Sequence, residues 1–171
     1  MAGDVLIRPA LPRDVWAISS IIEPYAEKGI LLAKQHVALF ESVQEFIVAQ
    51  VGDTIVGCGA LHVFWENLAE VRTLALDPPY RGLGIGSALL EQLLDRARTL
   101  EIQRVFCLTF EVDFFERHGF TALPGVEVHP GDPIYDELLR SPDDGVAEFL
   151  DLARVKANTL GNTRMLRYLN P

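Results

Sequence analysis

From Val5 to Leu76 the apolar residues come mostly in short runs divided by turn-forming residues, the pattern of strands, with a helical stretch after the first run. "VLIRPA" (5–10) predicts a first strand. Pro12 suits the first turn of a helix over residues 12–28, where Val15, Ile18, Ile22 and Tyr25 share one stripe and Gly29 supplies a stop. "ILLAKQHVALFESVQE" (30–45) predicts a second, shorter helical region. "FIVAQV" (46–51) and "TIVGCGALHVFW" (54–65), joined through Gly52 and Asp53, read as a hairpin. "AEVRTLAL" (69–76) is a fourth strand, ended by Asp77, Pro78 and Pro79.

Past residue 84 the spacing becomes helical. Leu89, Leu90, Leu93, Leu94, Ala97 and Leu100 face one way, with Glu91, Gln92, Asp95, Arg96 and Arg98 opposite. "RVFCLTF" (104–110) is almost wholly apolar, as in a strand covered on both sides. "DFFERHGF" (113–120) predicts a helix closed by Gly119 that leads into another strand. "GVEVHPGDP" is a loop, "IYDELLRS" and "GVAEFLDLARV" are helices, and "TRMLRYL" (163–169) is a last strand. The order predicts an α/β protein with a mixed, mostly antiparallel sheet flanked by helices, not a succession of right-handed βαβ units. Residues 1–171 are expected to form one domain.

Composition narrows the function. Hydrophobic residues make up 49% and charged residues 23%, an ordinary globular balance. No apolar run approaches the roughly 18 residues of a membrane span, and the N-terminus lacks a basic region followed by an apolar one. A cytoplasmic enzyme is expected. Cys58 and Cys107 stand far apart in strand-like surroundings and read as buried thiols. His36, His62, His118 and His129 are scattered, and no metal site is evident. The net charge of −9 argues against nucleic-acid or anionic-membrane partners. An anionic ligand must therefore be held by local cations or main-chain amides.

One stretch offers such amides. "YRGLGIGSALL" (80–90) places Gly82, Gly84 and Gly86 just ahead of the amphipathic helix. Dinucleotide-binding loops have the spacing G-x-G-x-x-G after a first strand, and phosphate loops of the G-K-[ST] type need a lysine; neither pattern is present. Two readings remain: glycines for tight packing, or bare N–H groups at a helix N-terminus that hold phosphate.

Arg81-x-x-Gly84-x-Gly86 resembles the pyrophosphate loop of the GNAT acyltransferase superfamily, and "FFERHGF" resembles its second signature. The resemblance implies the acyl-CoA acyltransferase fold, acetyl-CoA as co-substrate, and cofactor contacts from Arg81, Gly82, Leu83, Gly84, Ile85, Gly86 and Ser87. Main-chain groups of Leu74 and Leu76 would align the pantetheine arm. Many members carry a tyrosine as acid to the leaving thiolate where this chain has Phe115, which packs along the cofactor or fills core.

"EKGILL", "CGALHV", "AEVRTLALDP", "FFERHGF" and "LGNTRML", with "GVAEFLDLARVKANTLGNTRML" (145–166), together resemble the N-acetylglutamate synthases in their short, actinobacterial form. That resemblance covers nearly the whole chain. It implies transfer of acetyl to the α-amine of L-glutamate in arginine biosynthesis. Longer members also carry an arginine-sensing, kinase-like domain, for which 171 residues are expected to leave no room. Glu70 matches the family's catalytic glutamate; on its residues alone it serves equally as a base or as an ion-pair partner of Arg72. Lys34, Arg72, Asn162, Thr163 and Arg164 are candidate acceptor-binding residues, since glutamate brings two carboxylates. Lys34 reads also as a surface lysine, Thr163 as a turn cap and His62 as either pocket or structural.

Other readings stay open: glutamine, another small amine or a protein N-terminus as acceptor, or a CoA-binding module without turnover. Pairing of the last strand with a second copy would give a homodimer.

Overall fold

The computed structural model describes residues 3–31, 34–123, 133–150 and 162–169. Seven strands form one sheet in the order β1-β2-β3-β4-β5-β7-β6. They are β1 Val5–Pro9, β2 Phe46–Val51, β3 Thr54–Trp65, β4 Leu68–Leu76, β5 Arg104–Thr109, β6 Thr121–Ala122 and β7 Thr163–Tyr168. All neighbours are antiparallel except β4 and β5, which are parallel. The mixed sheet expected from the sequence is present, and its parallel β4–β5 pair is joined by a crossover through the helix after the glycines.

Among the described residues six helices cover it: α1 Val15–Glu27, α2 His36–Glu41, α3 Ile85–Thr99, α4 Val112–Arg117, α5 Pro133–Leu138 and α6 Asp144–Phe149. On one face the leucine stripe of α3 packs on Ala69, Val71, Val105 and Cys107. Leu100 does not join the stripe; it caps the helix C-terminus and is 49% exposed. The opposite face has two separate covers. Val15, Ile18, Ile22 and Leu39 of α1 and α2 lie over Val48, Cys58 and Ala60. Leu138 and Val146 of α5 and α6, with Leu150, lie over Leu68, Phe106 and Leu166. Strand alternation carries β4 past both, and its polar middle lies at the seam between them.

Three expectations are corrected. The helical region over 30–45 shrinks to α2 and a 3₁₀ turn at Val43–Glu45, because Gln35 is extended (φ −72°, ψ 151°) and Lys34 precedes it outside the helix. The last strand is not a free edge: β7 lies between β5 and β6, with Met165 and Leu166 paired on both sides. The helix over 12–28 opens with a 3₁₀ turn at Pro12–Asp14 before α1; Tyr25 packs with its stripe as expected, and its hydroxyl donates to Leu76 O at 2.6 Å. The loop expected over 125–133, with His129, lies but for Pro133 outside the described residues, as do residues 151–161, where the helix expected over 145–155 would end.

Candidate active site

Two local departures from regular strand geometry create the site. Strands β4 and β5 pair only through Leu68–Glu70 and Arg104–Phe106, although both continue beyond. Past Glu70 they part, leaving main chain on both sides of an opening. Just there the β3–β4 register shifts by one residue, so that Thr73 and Leu74 face Gly59. Thr73 has φ +58°, a conformation that costs energy in a β-branched residue. Gly59 makes the bulge fit: a Cβ there would come within 3.0 Å of Leu74 and Leu93. Beyond the bulge Leu74 and Leu76 turn their side chains into the α3 core, leaving the main chain as their contribution.

The glycine loop follows at the end of β4. Gly82 and Gly84 are left-handed, at φ +74° and +82°, and a Cβ at either would meet nothing within 4 Å. They are glycines for backbone conformation, not for packing. The first bond back along α3 is Ala88 N–H to Gly84 O at 3.1 Å, so the amides of Ile85, Gly86 and Ser87 have no acceptor within the helix. No acidic side chain occupies the first turn of α3, and Arg96 and Arg98 stand in its last turn. The dipole and the open amides together suit a pyrophosphate. Ile85 is buried and can offer only its amide, while Leu83 is exposed. Arg81 donates through Nε to Tyr25 Oη at 3.0 Å and lies 5.0 Å from the centre of that ring. Tyr25 thus ties the loop's arginine to Leu76 O. Phe115 is core, edge-on to Phe120; the ring beside Gly86 is that of Phe114.

A groove of about 440 Å³ lies over the seam. Its lining includes Lys34, Glu70, Arg72, Thr73, Asp143 and Asn162. Glu70 is 4% exposed. Arg72 reaches Glu70 Oε2 through Nη2 at 2.7 Å and Nε at 3.2 Å, and grips Asp143 at 2.7 and 2.8 Å. Burial pushes the Glu70 carboxyl above its usual range, although Arg72 pulls the other way. Burial would raise Asp143 too, but Arg72 overcomes it and holds that carboxyl well below the carboxylate range. Burial works against the charge of Arg72, and Glu70 and Asp143 more than offset it. Lys34 is pushed down, first by burial and then by Arg72. Cross-strand from Glu70, His62 sets Nδ1 2.7 Å from Glu45 and Nε2 3.8 Å from Asp143.

The structure therefore brings Lys34, Glu70, Arg72 and Asn162 together. Thr163 and Arg164 follow along β7, opposite Thr109 and Leu108, outside the groove lining. Asp143, Thr73, Tyr25 and Phe114 escaped the sequence reading as site residues. Only Asp143 left a trace: "SPDDG" is a helix-start signal, and Asp143 Oδ1 accepts Val146 N–H at 3.0 Å.

An amide-lined phosphate seat and a buried carboxylate, set on either side of a parted sheet, define the acyltransferases that draw on acyl-CoA. The model of the Acetyltransferase (GNAT) family matches residues 13–120, and the chain belongs to that family. An amino-acid acetyltransferase of Mycobacterium tuberculosis is 53% identical over 167 residues, 96% of this chain and 94% of that protein. A solved M. tuberculosis structure, in complex with CoA and a second small ligand, matches with a TM-score of 0.91 at 52% identity, over 96% of this chain and 99% of that one. N-acetylglutamate synthase from Neisseria gonorrhoeae, complexed with CoA and N-acetyl-glutamate, matches with a TM-score of 0.78 at 25% identity. That match takes in all of this chain but 36% of the Neisseria chain.

Proposed function

We propose that this protein transfers acetyl from acetyl-CoA to the α-amine of L-glutamate, with Glu70 as general base. The observation that carries the proposal is the placing of a buried carboxylate, raised above its usual range, in a groove at the parting of β4 and β5. An α-amine titrating near or above about 8 arrives protonated. Glu70 takes that proton, directly or through water, and the amine attacks the thioester carbonyl. The oxyanion so formed is met by main-chain N–H at the bulged end of β4. It collapses with loss of the thiolate, and the proton that the nitrogen sheds as the amide forms passes through water to the thiolate; Phe115 has none to give and lies in the core.

Transfer is direct. Cys58 and Cys107 are buried, the Cys58 thiol is pushed up to about 12, and Cys107 is also raised. Neither makes a nucleophile near neutral pH. Acetyl-CoA sits with its pyrophosphate on the amides of the glycine loop and Arg81 at the mouth. Lys34 receives an acceptor carboxylate, with Asn162 beside it, and Thr163 and Arg164 extend this side of the site along β7. A cytoplasmic setting fits two free cysteines.

The groove's charge supports glutamine as a second acceptor. Its lining holds three carboxylates (Glu70, Asp143, Asp144) and two cations (Lys34, Arg72), so an acceptor with one carboxylate adds less like charge than one with two. CoA release with L-glutamate, L-glutamine and a basic peptide tests the assignment. Turnover with glutamate is expected, with glutamine the nearest competitor. Binding of acetyl-CoA without turnover of any acceptor would leave only a CoA-binding module.

A further inference from the structure

Residues 133–150 lie beyond the part of the chain that the family model matches, yet they supply one wall of the groove. Leu138, Val146 and Leu150 anchor this segment on Leu68, Phe106 and Leu166. Asp143 ties it to the sheet centre: both its oxygens meet Arg72, one on Nη1 and one on Nη2, while Nε and Nη2 of the same guanidinium meet Glu70, and His62 Nε2 lies 3.8 Å away. Asp143 is itself held from its own segment. Its N–H donates to Ser141 Oγ at 3.2 Å, and its Oδ1 accepts Val146 N–H. Gly145 leaves the clearance this needs, since a Cβ there would lie 2.6 Å from Glu70 Oε2, 2.8 Å from Arg72 Nη2 and 3.0 Å from Asp143 Oδ1.

We propose that Asp143 is a positioning residue for the transfer: by gripping one edge of the Arg72 guanidinium it fixes the other edge on Glu70, so the base is aimed only when the 133–150 segment is docked. A lone arginine on a strand can turn toward solvent or close fully on Glu70. Shared between two carboxylates, it does neither, and Glu70 keeps an oxygen for the amine. The electrostatics agree. The charged and titratable groups around Glu70 are Arg72 on its own strand, His62 on β3, Asp143 ahead of α6, Lys34 ahead of α2 and the Cys107 thiol on β5. Of these, Asp143 pushes the Glu70 carboxyl up, and it also draws off part of Arg72, which pulls it down. Removing the Asp143 charge therefore lowers the Glu70 carboxyl on both counts.

This inference rests on Glu70 being the base, and the experiment keeps the two apart. Asp143→Asn, Asp143→Glu and Asp136→Asn are compared with the wild type for kcat, KM, acetyl-CoA affinity, melting and the pH profile of kcat/KM. Asp136 is exposed on α5, so its variant makes the same charge change in the same segment away from the groove. Asp143→Asn is expected to lose about tenfold in kcat and to move the acid limb to lower pH, because the like charge that raises Glu70 is gone, with acetyl-CoA affinity unchanged. Asp143→Glu keeps the charge and so is expected to leave the limb in place while lowering kcat; Asp136→Asn should change neither. An Asp143→Asn variant with wild-type kcat, or one whose only change is a lower melting temperature, overturns the inference. If that variant does not fold, an Asp143→Glu variant with wild-type kcat does the same. A wild type that turns over no acceptor, or a Glu70→Gln variant that keeps full activity, sinks instead the reading of Glu70 as base.

Discussion

The two sides of the parted sheet are built in opposite ways. The phosphate side is a single stretch, residues 81–87, that works through its main chain: two left-handed glycines, three amides without helical acceptors and one arginine held by Tyr25. The side proposed to take the acceptor is assembled from side chains that lie far apart in sequence, Lys34, Glu70, Arg72, Asp143 and Asn162, and at its centre Arg72 joins two opposite charges. Backbone sites depend on conformation and tolerate side-chain change nearby. Networks of buried side chains depend on complete pairing, so the loss of one member costs more than its own contacts.

That contrast predicts the sizes of mutational effects. Arg72→Leu leaves Glu70 and Asp143 buried together without their shared cation, and is expected to destabilise the fold by about 3–5 kcal/mol. The loss should narrow as pH falls, because protonated carboxyls no longer need the arginine; denaturant unfolding at two pH values checks both statements. Next comes Gly84→Ala, which forces an L side chain to φ +82° and should cost about 1–2 kcal/mol while weakening acetyl-CoA binding. Gly86→Ala is its counterpart: the new Cβ would make only ordinary contacts, 3.7 Å from Leu76 and Phe114, so stability should stay within about 0.5 kcal/mol. A stability loss at Gly86 equal to that at Gly84 would return the loop to a packing role. Tyr25→Phe removes the hydroxyl between Arg81 and Leu76 O and should cost about 1 kcal/mol and raise the KM for acetyl-CoA without lowering kcat.

Legibility in the sequence follows the same division. Glycine spacing, the α3 leucine stripe and the hairpin are local signals, and they mark the sheet, the loop and the helix that follows it. The groove depends on what local signals omit. Nothing around "SPDDG" tells that Asp143 meets an arginine 71 residues earlier. The bulge at Thr73 leaves no pattern, because threonine is an ordinary strand residue and its strain is imposed by the chain on either side. Phe115 and Phe114 are adjacent, and only the helix rotation decides which ring reaches the loop. Glu70 and Arg72 were legible as a pair two residues apart on one strand face, and the structure shows that ion pair directly; the proposed role of Glu70 as base rests on the groove around it.

The most direct test of the account sets turnover against cofactor binding in Glu70→Gln, measured beside the wild type across pH. Loss of about two orders of magnitude in kcat is expected with acetyl-CoA affinity unchanged, and the wild-type acid limb of kcat/KM should lie above the ordinary glutamate range, because burial raises the carboxyl that must be ionised to act. A Glu70→Gln enzyme that keeps its kcat, or that loses acetyl-CoA binding along with it, would contradict the division of labour between groove and loop.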